Sequence, residues 1–461
     1  MKKIISGLLA ACLLTGSLLG CNKKLDVEPA DSIDAGLAFG SSSDVQAALV
    51  GCYTGLQNVQ VYGGYIQLMS DLLADNGDIS FNGTFSAPQE IQRKTILKDN
   101  GFITTIWTNS YNVINRANGV LANVKKLDTP GKQARGEGEA KFIRSLVYFD
   151  LVRLYARAWN DGSPQTNPGV PLVLTPTLGV TAASQVSRNT VAEVYTQVIA
   201  DLVSAESLLP ADNGIFANKY SAAALLARIY LQQGRFADAA GAANRVIDGG
   251  VPADLSLNSS YAANFKSTGD LLSNTREDIF AIQVSAQSGR NELNTFYSTK
   301  RRGDITIESQ FLNLFEPTDD RKSLFSQSSP TADVFSTKYD VLYGNLKLFR
   351  LAEMYLIRAE GNSRSGTAQL GRNTPLADIN TVRTRALLPP LTTLTQAAIL
   401  KERRLELAFE GFRLGDLKRN QESTIDPVSN AVIAWNSSRL VFPIPLREIN
   451  ANSNLAQNAG Y

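Results

Sequence analysis

The sequence predicts a mainly α-helical protein in which helix pairs form a scaffold, capped by long irregular loops with little β-structure. Two observations support this fold class. Apolar residues recur at helical spacing in many segments, which is typical of helices with one buried face. Residues 75–98 and 252–336 lack this periodicity and are rich in Gly, Ser, Asn and Asp. Because these loops also carry aromatic residues, we expect them to be ordered and packed.

The segment at residues 218–248 shows the helix pairing most clearly. One apolar stripe ends near Tyr230, Gly234 breaks the pattern, and a second stripe begins at Phe236. Alanines at the facing positions let two antiparallel helices approach closely. The pattern resembles a tetratricopeptide (TPR) repeat, with Pro252 near its end. The other predicted helices lie at residues 42–57, 104–124, 137–157, 191–208, 349–364 and 394–411.

The N-terminus has the layout of a bacterial export signal. Lys2 and Lys3 precede an apolar run at residues 4–20, which is short for a membrane span. The run leads into Leu-Leu-Gly-Cys, which resembles a lipobox, a motif whose cysteine becomes the lipidated first residue of the mature protein. We therefore expect lipidation at Cys21. An ordinary secretory signal is the alternative, but no A-x-A-like cleavage site precedes a mature start.

These features divide the chain into three parts. The predicted organisation is a signal peptide at residues 1–20, a lipidated tether at 21–40 and one globular unit at 41–461. No later segment is long and apolar enough to cross a membrane, so we expect membrane contact through the lipid anchor only.

The composition excludes several classes of function. The 461 residues contain no histidine, which rules out Ser-His-Asp catalysis, Cys-His catalysis and histidine metal sites. With Cys12 in the signal and Cys21 lipidated, only Cys52 remains, so neither an intramolecular disulfide nor a cysteine zinc site is expected. A formal net charge of +2 without a basic run argues against nucleic acid. We predict no metal and no cofactor, and the remaining catalytic option is a carboxylate pair.

The segment "KERRLELAFEGFRLGDLKRN" at residues 401–420 concentrates acidic and basic side chains. On one continuous helix, Arg403, Glu406, Glu410 and Arg413 would share a face. A glycosidase needs one carboxyl group with a raised pKa, and flanking guanidinium groups oppose that shift. We therefore interpret the four residues as a structural ion-pair network with no catalytic role, and predict that the protein is not an enzyme.

Six motifs, in order along the chain, resemble one protein family. They are "CNKKLDVEP" (21–29), "AKFIRSLVYFDLVRLYARA" (140–158), "GVPLVLTPT" (169–177), "FRLAEMYLIRAE" (349–360), "ERRLELAFEGFRLGDLKR" (402–419) and "FPIPLREINANSNLAQNAGY" (442–461). Together they resemble the SusD/RagB family of Bacteroidota outer-membrane nutrient-binding lipoproteins. The family usually has His and bulky aromatic residues where this chain has Phe412, Leu414 and Gly415, which is a local departure.

The resemblance implies a TPR-containing helical scaffold with an irregular capping half, divided into residues 41–270 and 271–461. It also implies a lipid-anchored outer-membrane protein, exposed on the cell surface, that delivers oligosaccharide to a SusC-like TonB-dependent transporter. The alternative is a helical-repeat surface protein that binds peptide or protein. A third interpretation, which the residues support less, is an exported glycosidase.

Sugar binding requires aromatic faces that stack on pyranose C–H groups, and polar side chains that fix the hydroxyls. Two loops, at residues 73–90 and 289–304, carry that mixture. The candidate ligand-binding residues are Asp75, Asn76, Asp78, Phe81, Phe85, Tyr297 and Arg301. The alternative for each residue is a structural role, with phenylalanines covering the core and asparagines forming turns.

Overall fold

The fold is described here from a computed structural model, which describes residues 39–179, 181–250, 254–267, 269, 271–327 and 332–461. Cys21, the predicted signal peptide and Pro252 lie outside these residues. Ser41–Tyr461 forms one unit of mutually contacting residues.

Helices dominate the described residues. They are α1 (Ser42–Gln57), α2 (Tyr65–Ala74), α3 (Ser86–Gln92), α4 (Gly101–Asn123), α5 (Pro130–Tyr155), α6 (Val191–Leu208), α7 (Lys219–Gln232), α8 (Phe236–Gly250), α9 (Glu292–Tyr297), α10 (Ser309–Leu312), α11 (Leu351–Arg364), α12 (Pro375–Arg385), α13 (Gln396–Glu406), α14 (Arg413–Arg419) and α15 (Leu446–Ala451). The predicted mainly α fold with TPR-like helix pairs is confirmed.

The strands are short and form two-stranded sheets in the described part of the chain. They are β1 (Ile79–Phe81), β2 (Leu271–Leu272), β3 (Asp278–Ile282), β4 (Ile305–Ile307), β5 (Phe325–Gln327), β6 (Val334–Ser336), β7 (Tyr343–Gly344), β8 (Leu346–Arg350), β9 (Thr424–Ile425) and β10 (Val432–Ile433). Most of them lie in the two segments predicted to be irregular, so the described residues of these segments include ordered structure, and the β-content is low.

The helices from α4 to α8 form an array in which each packs on the next, and α11 and α12 extend it. The segment between α8 and α11 leaves the array and returns, so the array is interrupted in sequence but not in packing. Gly361 on α11 permits the close approach to α8, because a Cβ there would lie 2.6 Å from the carbonyl oxygen of Phe236 and 2.9 Å from the Cβ of Ala240. The alanine-rich faces of α7 and α8 are buried as predicted, and Cys52 is buried on α1.

Side-chain caps fix where these helices begin. Ser41 and Asp44 form a capping box at α1, and Thr190 with Glu193 forms another at α6, whose bounds match the predicted helix. Gly234 separates α7 from α8 in the left-handed conformation, with φ of +71°, which is favourable for glycine.

The helix predicted at residues 394–411 is wrong at its C-terminal end. Helix α13 stops at Glu406 because Phe409 and Gly411 adopt left-handed conformations, with φ of +60° and +83°. The intervening turn packs against α2, where Asp71 Oδ1 accepts a hydrogen bond from the Gly411 N–H at 3.1 Å. Glycine is needed at this turn because a Cβ would lie 2.8 Å from the Cα of Gln67.

Candidate functional site

Antiparallel pairing of β1 with β4 brings the two predicted ligand loops side by side. Ile79 pairs with Ile307, Ser80 with Thr306 and Phe81 with Ile305. The pairing continues one residue beyond the strands, where the Asn82 N–H donates to the carbonyl oxygen of Asp304 at 2.7 Å. Sequence analysis singled out each loop separately, and this small sheet joins them.

Three aromatic rings lie together beside this sheet and define the aromatic patch: Tyr65, Phe85 and Phe102. The Tyr65 and Phe102 rings stack with centroids 4.5 Å apart, and Phe85 lies 6.2 Å from Phe102. All three contact the buried ring of Phe296 at 6.4–6.5 Å. Phe85 is 41% exposed, and the other two rings are half-buried. The patch is therefore an apolar surface supported from below by the core.

Each ring of the patch is held at the beginning of a helix. Tyr65 is the first residue of α2, and Phe85 occupies the N-cap position of α3. Phe102 lies in the first turn of α4, where the Asn100 side chain accepts hydrogen bonds from the Phe102 and Ile103 N–H groups at 3.1 and 3.4 Å. The three backbones are therefore fixed before any ligand arrives, which lowers the conformational entropy lost on binding.

Charged groups border the patch on two sides. The Arg302 guanidinium lies 4.4 Å from the Phe85 ring centroid and donates to Asp304 Oδ2 at 2.8 Å and Thr84 Oγ1 at 3.2 Å. The other ion pair is Arg290 with Glu292, at 2.6 Å. Burial and then the Glu292 charge raise the pKa of Tyr65, so its hydroxyl remains a hydrogen-bond donor near neutral pH.

The structure places the predicted ligand residues in different environments. Phe85 belongs to the aromatic patch, and Arg301 is exposed next to Arg302. Phe81 and Tyr297 do not present the exposed faces that were predicted, because they are 7% and 0% exposed. Phe81 packs against Phe296, with centroids 6.3 Å apart.

Tyr297 is enclosed by the core on both sides. Its ring lies 5.4 Å from that of Tyr339 and 5.7 Å from that of Phe409, and its hydroxyl donates to Asp71 Oδ2 at 3.3 Å. We therefore leave Phe81 and Tyr297 out of the proposed contact surface. Their sequence context, a polar and glycine-rich loop, did not show that the loop folds inward at these two positions.

The predicted acidic residues lie near a different cleft. Asp75 and Asp78 line a small cleft that Arg403, Arg404 and apolar residues of the turn after α13 complete. Asp75 is buried and accepts hydrogen bonds from three successive backbone N–H groups, the pattern of a turn-forming aspartate. Asp78 forms an ion pair with Arg404.

Asn76, in the same turn, is half-buried, and its carbonyl oxygen accepts a hydrogen bond from Gln310 Nε2 at 3.0 Å. The three polar residues of this loop are therefore not part of the aromatic patch in this structure.

The four charged residues predicted to share a helix face do not pair with one another, because the helix ends at Glu406. Arg403 pairs with Asp416 at 2.8 Å, and Arg413 pairs with Glu422 at 2.7 Å nearer the surface. Both partners come later in the chain, after the turn. These arginines therefore form ion pairs in the structure, but with carboxylates from later in the chain and not with Glu406 or Glu410 as predicted.

Glu406 is fully buried and faces three guanidinium groups. Arg350 Nη1 donates to it at 2.8 Å, Arg321 Nη1 lies 3.5 Å away, and Arg385 also pairs with it. Burial alone would raise the carboxyl pKa, but Arg385, Arg350 and Arg321 together outweigh burial and lower the pKa of Glu406 to about 2. The carboxylate is therefore ionised at neutral pH and unsuited to act as a general acid.

Glu410 extends the same cluster. Arg350 Nη2 lies 2.8 Å from its carboxylate, and Lys338 Nζ lies 2.7 Å from it. Burial opposes ionisation, but Arg350 and Lys338 outweigh it and lower the pKa of Glu410. We call the following residues the arginine–carboxylate network: Glu277, Arg321, Lys338, Arg350, Arg385, Glu402, Glu406 and Glu410.

Two family models match this chain. The model described as "starch-binding associating with outer membrane" matches residues 25–231, and the SusD family model matches residues 331–461. The chain belongs to the SusD/RagB family. It is 26% identical to SusD-like protein P2 of Formosa agariphila over 96% of this chain and 97% of that protein.

Two further relatives support the SusD assignment. The starch-binding protein SusD of Bacteroides thetaiotaomicron is 34% identical over 25% of this chain and 22% of that protein. A candidate sugar-binding protein of Bacteroides vulgatus has a solved structure with a TM-score of 0.81 and 27% identity, over 91% of this chain and 99% of that chain.

The SusD assignment confirms that this is a binding protein and not an enzyme. Members of the family bind carbohydrate and are associated with the outer membrane. In the part of the chain that the structure describes, no helix has the length and hydrophobicity of a membrane span.

Three residues of the aromatic patch and its border were not among the predicted candidates: Tyr65, Phe102 and Arg302. A usable signal exists for two of them, because each aromatic residue directly follows a glycine at a helix start, in "GGYIQL" and "DNGFIT". Arg302 follows the predicted Arg301, and only the structure shows which of the two guanidinium groups lies over a ring.

Proposed function

We propose that this SusD-family protein is a cell-surface lipoprotein that binds an oligosaccharide at the aromatic patch and delivers it to a SusC-like TonB-dependent transporter. The observation that carries the proposal is the patch itself, in which Phe85 is 41% exposed although it packs on the half-buried ring of Phe102 and the buried ring of Phe296. The names of the starch-binding and candidate sugar-binding relatives support a carbohydrate ligand.

The patch supplies what a sugar chain requires. The faces of Tyr65, Phe85 and Phe102 offer C–H stacking surfaces, and Arg302 supplies a hydrogen-bond donor for hydroxyl groups. Each stacked ring contributes about 1–2 kcal/mol, and the loss of translational freedom offsets part of the sum. The expected affinity is therefore weak, which suits release to a transporter.

The direct test is a glycan-array screen followed by calorimetric titration of the best ligand into the purified protein. The proposal predicts at least one oligosaccharide bound at millimolar concentration or tighter, with binding retained in Leu178→Ala, which alters an exposed apolar residue outside the patch. Absence of glycan binding together with capture of a peptide would favour the helical-repeat scaffold instead.

The lipoprotein part of the proposal rests on the lipobox at Cys21. Wild-type protein should carry an acyl chain on Cys21 by mass spectrometry and fractionate with the outer membrane. Cys21→Ala should leave the protein unprocessed or release it from the membrane. Wild-type protein that is released to the medium without an acyl chain would contradict this part, and it would leave the glycan-binding part standing.

A further inference from the structure

A groove lies beside the beginning of α7. It is lined by the connection from α6 to α7 at residues 211–218, by residues 274–276 between β2 and β3, and by Asp254 and Leu255. Its volume is about 530 Å³, which lies within the range of about 300–1,000 Å³ that is typical of small-molecule sites. The groove shares no lining residue with the aromatic patch or the arginine–carboxylate network, so neither of them accounts for it.

The connection from α6 to α7 supplies the apolar surface of the groove. Ile215 is 51% exposed, and Phe216 is half-buried. The Phe216 ring lies 4.9 Å from the ring of Tyr53 on α1. The Tyr53 hydroxyl accepts a hydrogen bond from the Ala217 N–H at 3.1 Å, which holds this connection against α1. The apolar surface is therefore fixed in place and can pack on the C–H faces of a sugar.

The same connection carries an unpaired carboxylate. Asp212 Oδ1 accepts a hydrogen bond from the Gly214 N–H at 3.0 Å, across a turn in which Gly214 is left-handed with φ of +60°. Asp212 is exposed, and its Oδ2 has no partner among the described residues. Asn213 braces the turn, because its Nδ2 donates to Glu139 Oε1 at 3.0 Å and to the Ala217 carbonyl oxygen at 2.8 Å. The turn therefore presents a fixed hydrogen-bond acceptor.

The connection from β2 to β3 contributes a free donor, the Asn274 amide. The Val284 N–H donates to Asn345 Oδ1 at 2.8 Å, which sets the orientation of the Asn345 amide. Asn345 Nδ2 then donates to Asn274 Oδ1 at 2.8 Å, and Gln283 Nε2 donates to the same oxygen at 3.1 Å. Asn274 is exposed, and no described residue accepts a hydrogen bond from its Nδ2. Its oxygen is thus held by the chain, and its nitrogen is available to a ligand.

The charges of the groove disfavour an anionic ligand. Arg276 pairs with Asp254 at 2.9 Å, and Asp278 pairs with Lys347. The remaining charge is that of Asp212, so the lining is negative by one unit and repels a carboxylate or a sulfate. The hydrogen bonds of Arg276 to Asp254 use Nε and Nη2, so Nη1 remains a second donor without an acceptor among the described residues.

We propose that this groove is a second carbohydrate site, which binds a segment of a neutral oligosaccharide. Asn274 Nδ2 and Arg276 Nη1 donate to sugar hydroxyl groups, and Asp212 Oδ2 accepts from one. Ile215 and Phe216 pack on the C–H faces of the sugar. The inference does not rest on the proposed function of the aromatic patch, because the two sites share no residue.

The site can be tested in the full chain by NMR and calorimetric titration. The neutral probes are maltotetraose, cellotetraose, xylotetraose and mannotetraose, and tetragalacturonate is the anionic probe. The Ile215 δ1-methyl signal, assigned with Ile215→Val, reports on the groove because this exposed side chain lines it. At least one neutral probe at millimolar concentration should shift the signal. Tetragalacturonate should bind about fivefold more weakly than that probe.

Two isosteric variants test the proposed contacts. Asn274→Asp keeps the oxygen that its two amide partners bind and removes the free donor. Asp212→Asn keeps the oxygen that is bound within its own turn and replaces the free acceptor with a donor. Each variant should bind the neutral tetrasaccharide about fivefold more weakly than wild type. Asp333→Asn, which alters an exposed carboxylate outside the groove, should retain the affinity. Urea denaturation checks that each variant is folded.

An unchanged Ile215 signal with all four neutral probes would overturn the proposal. Calorimetric binding of the same probes would then belong to the aromatic patch, and the proposed function would stand. Wild-type affinity in both folded variants, or tighter binding of tetragalacturonate than of the neutral probes, would also overturn it. If trilysine shifts the Ile215 signal and no tetrasaccharide does, the groove is a site for basic peptides and the proposal is wrong.

Discussion

The arginine–carboxylate network and the aromatic patch depart from the usual distribution of residues in opposite directions. The network buries charged groups, with Arg350 and Glu406 at 2% and 0% exposure, and pairs them with one another. The patch leaves the Phe85 ring 41% exposed. Burying charged groups and exposing an aromatic ring are each unfavourable by themselves. The two regions differ in whether the interactions that offset this cost lie within the chain.

The compensating interactions of the network are inside the chain. Glu406 alone meets Arg321, Arg350 and Arg385, which belong to different segments, so the network fixes how those segments dock. The Arg302 guanidinium lies over the Phe85 ring and the ring is still 41% exposed, which is consistent with a surface that a ligand covers.

The largest expected effect is the loss of a central carboxylate from the network. Glu406→Ala leaves three buried guanidinium groups without this partner, and breaking a buried ion pair costs about 3–5 kcal/mol. We expect urea denaturation to show a loss of that size in the free energy of unfolding. The control is Glu422→Ala, which breaks the partly exposed pair with Arg413 and should cost less than about 1 kcal/mol. Equal losses in the two variants would contradict the structural role.

Acid should weaken the same network. The folded-state pKa of Glu406 is about 2, below the unfolded value of about 4.3. Because the folded-state pKa is depressed, this stabilisation is present above the unfolded pKa and is lost as the pH falls towards 2. The loss for this group is on the order of 3 kcal/mol. Urea titrations between about pH 5 and about pH 2.5 should show a smaller acid-dependent loss in Glu406→Gln than in wild type. The same loss in both proteins would assign the acid sensitivity to other groups.

The comparison also shows what the sequence could predict. Helices such as α6 and α7 were predictable because capping residues and an apolar stripe coincide within one segment. The end of α13 was not predictable, because residues 407–411 have the apolar pattern of a continuing helix. Contacts with α2, made by Asp71 and Gln67, favour a turn there, and tertiary contacts of this kind leave no local signal.

The site was predictable to a similar extent. The sequence prediction included Phe85, because aromatic residues in polar loops are unusual, whereas Tyr65 and Phe102 of the aromatic patch lie outside both predicted loops. It did not separate Phe85 from Phe81 and Tyr297, whose burial depends on the β1–β4 pairing and on the later aromatic residues Tyr339 and Phe409. The network partners Arg350 and Arg385 lie 56 and 21 residues from Glu406 in the chain, so no local pattern shows these pairs.

A smaller effect is expected at the patch, and on binding more than on folding. Phe85→Ala removes one stacking face, so the affinity for the oligosaccharide should fall by about 1–2 kcal/mol, which is roughly 5- to 30-fold. Because the ring is 41% exposed, the free energy of unfolding should change little. Calorimetric titration and urea denaturation of the same preparation measure both quantities. Unchanged affinity, or a loss of binding that merely parallels unfolding, would remove Phe85 from the site.

The smallest expected effect distinguishes two adjacent arginines. Arg302 lies over the Phe85 ring and is held by Asp304 and Thr84, so Arg302→Gln removes both a hydroxyl donor and a support for the ring. The expected loss of affinity is about 0.5–1 kcal/mol, or roughly two- to fivefold. Arg301→Gln is the matched control, because it removes an equal charge from the neighbouring exposed position and should leave affinity within error. A larger effect at Arg301 than at Arg302 would mean that the ligand lies along the loop at residues 299–301 and not over the rings, and the aromatic patch would then lose its role as the centre of the site.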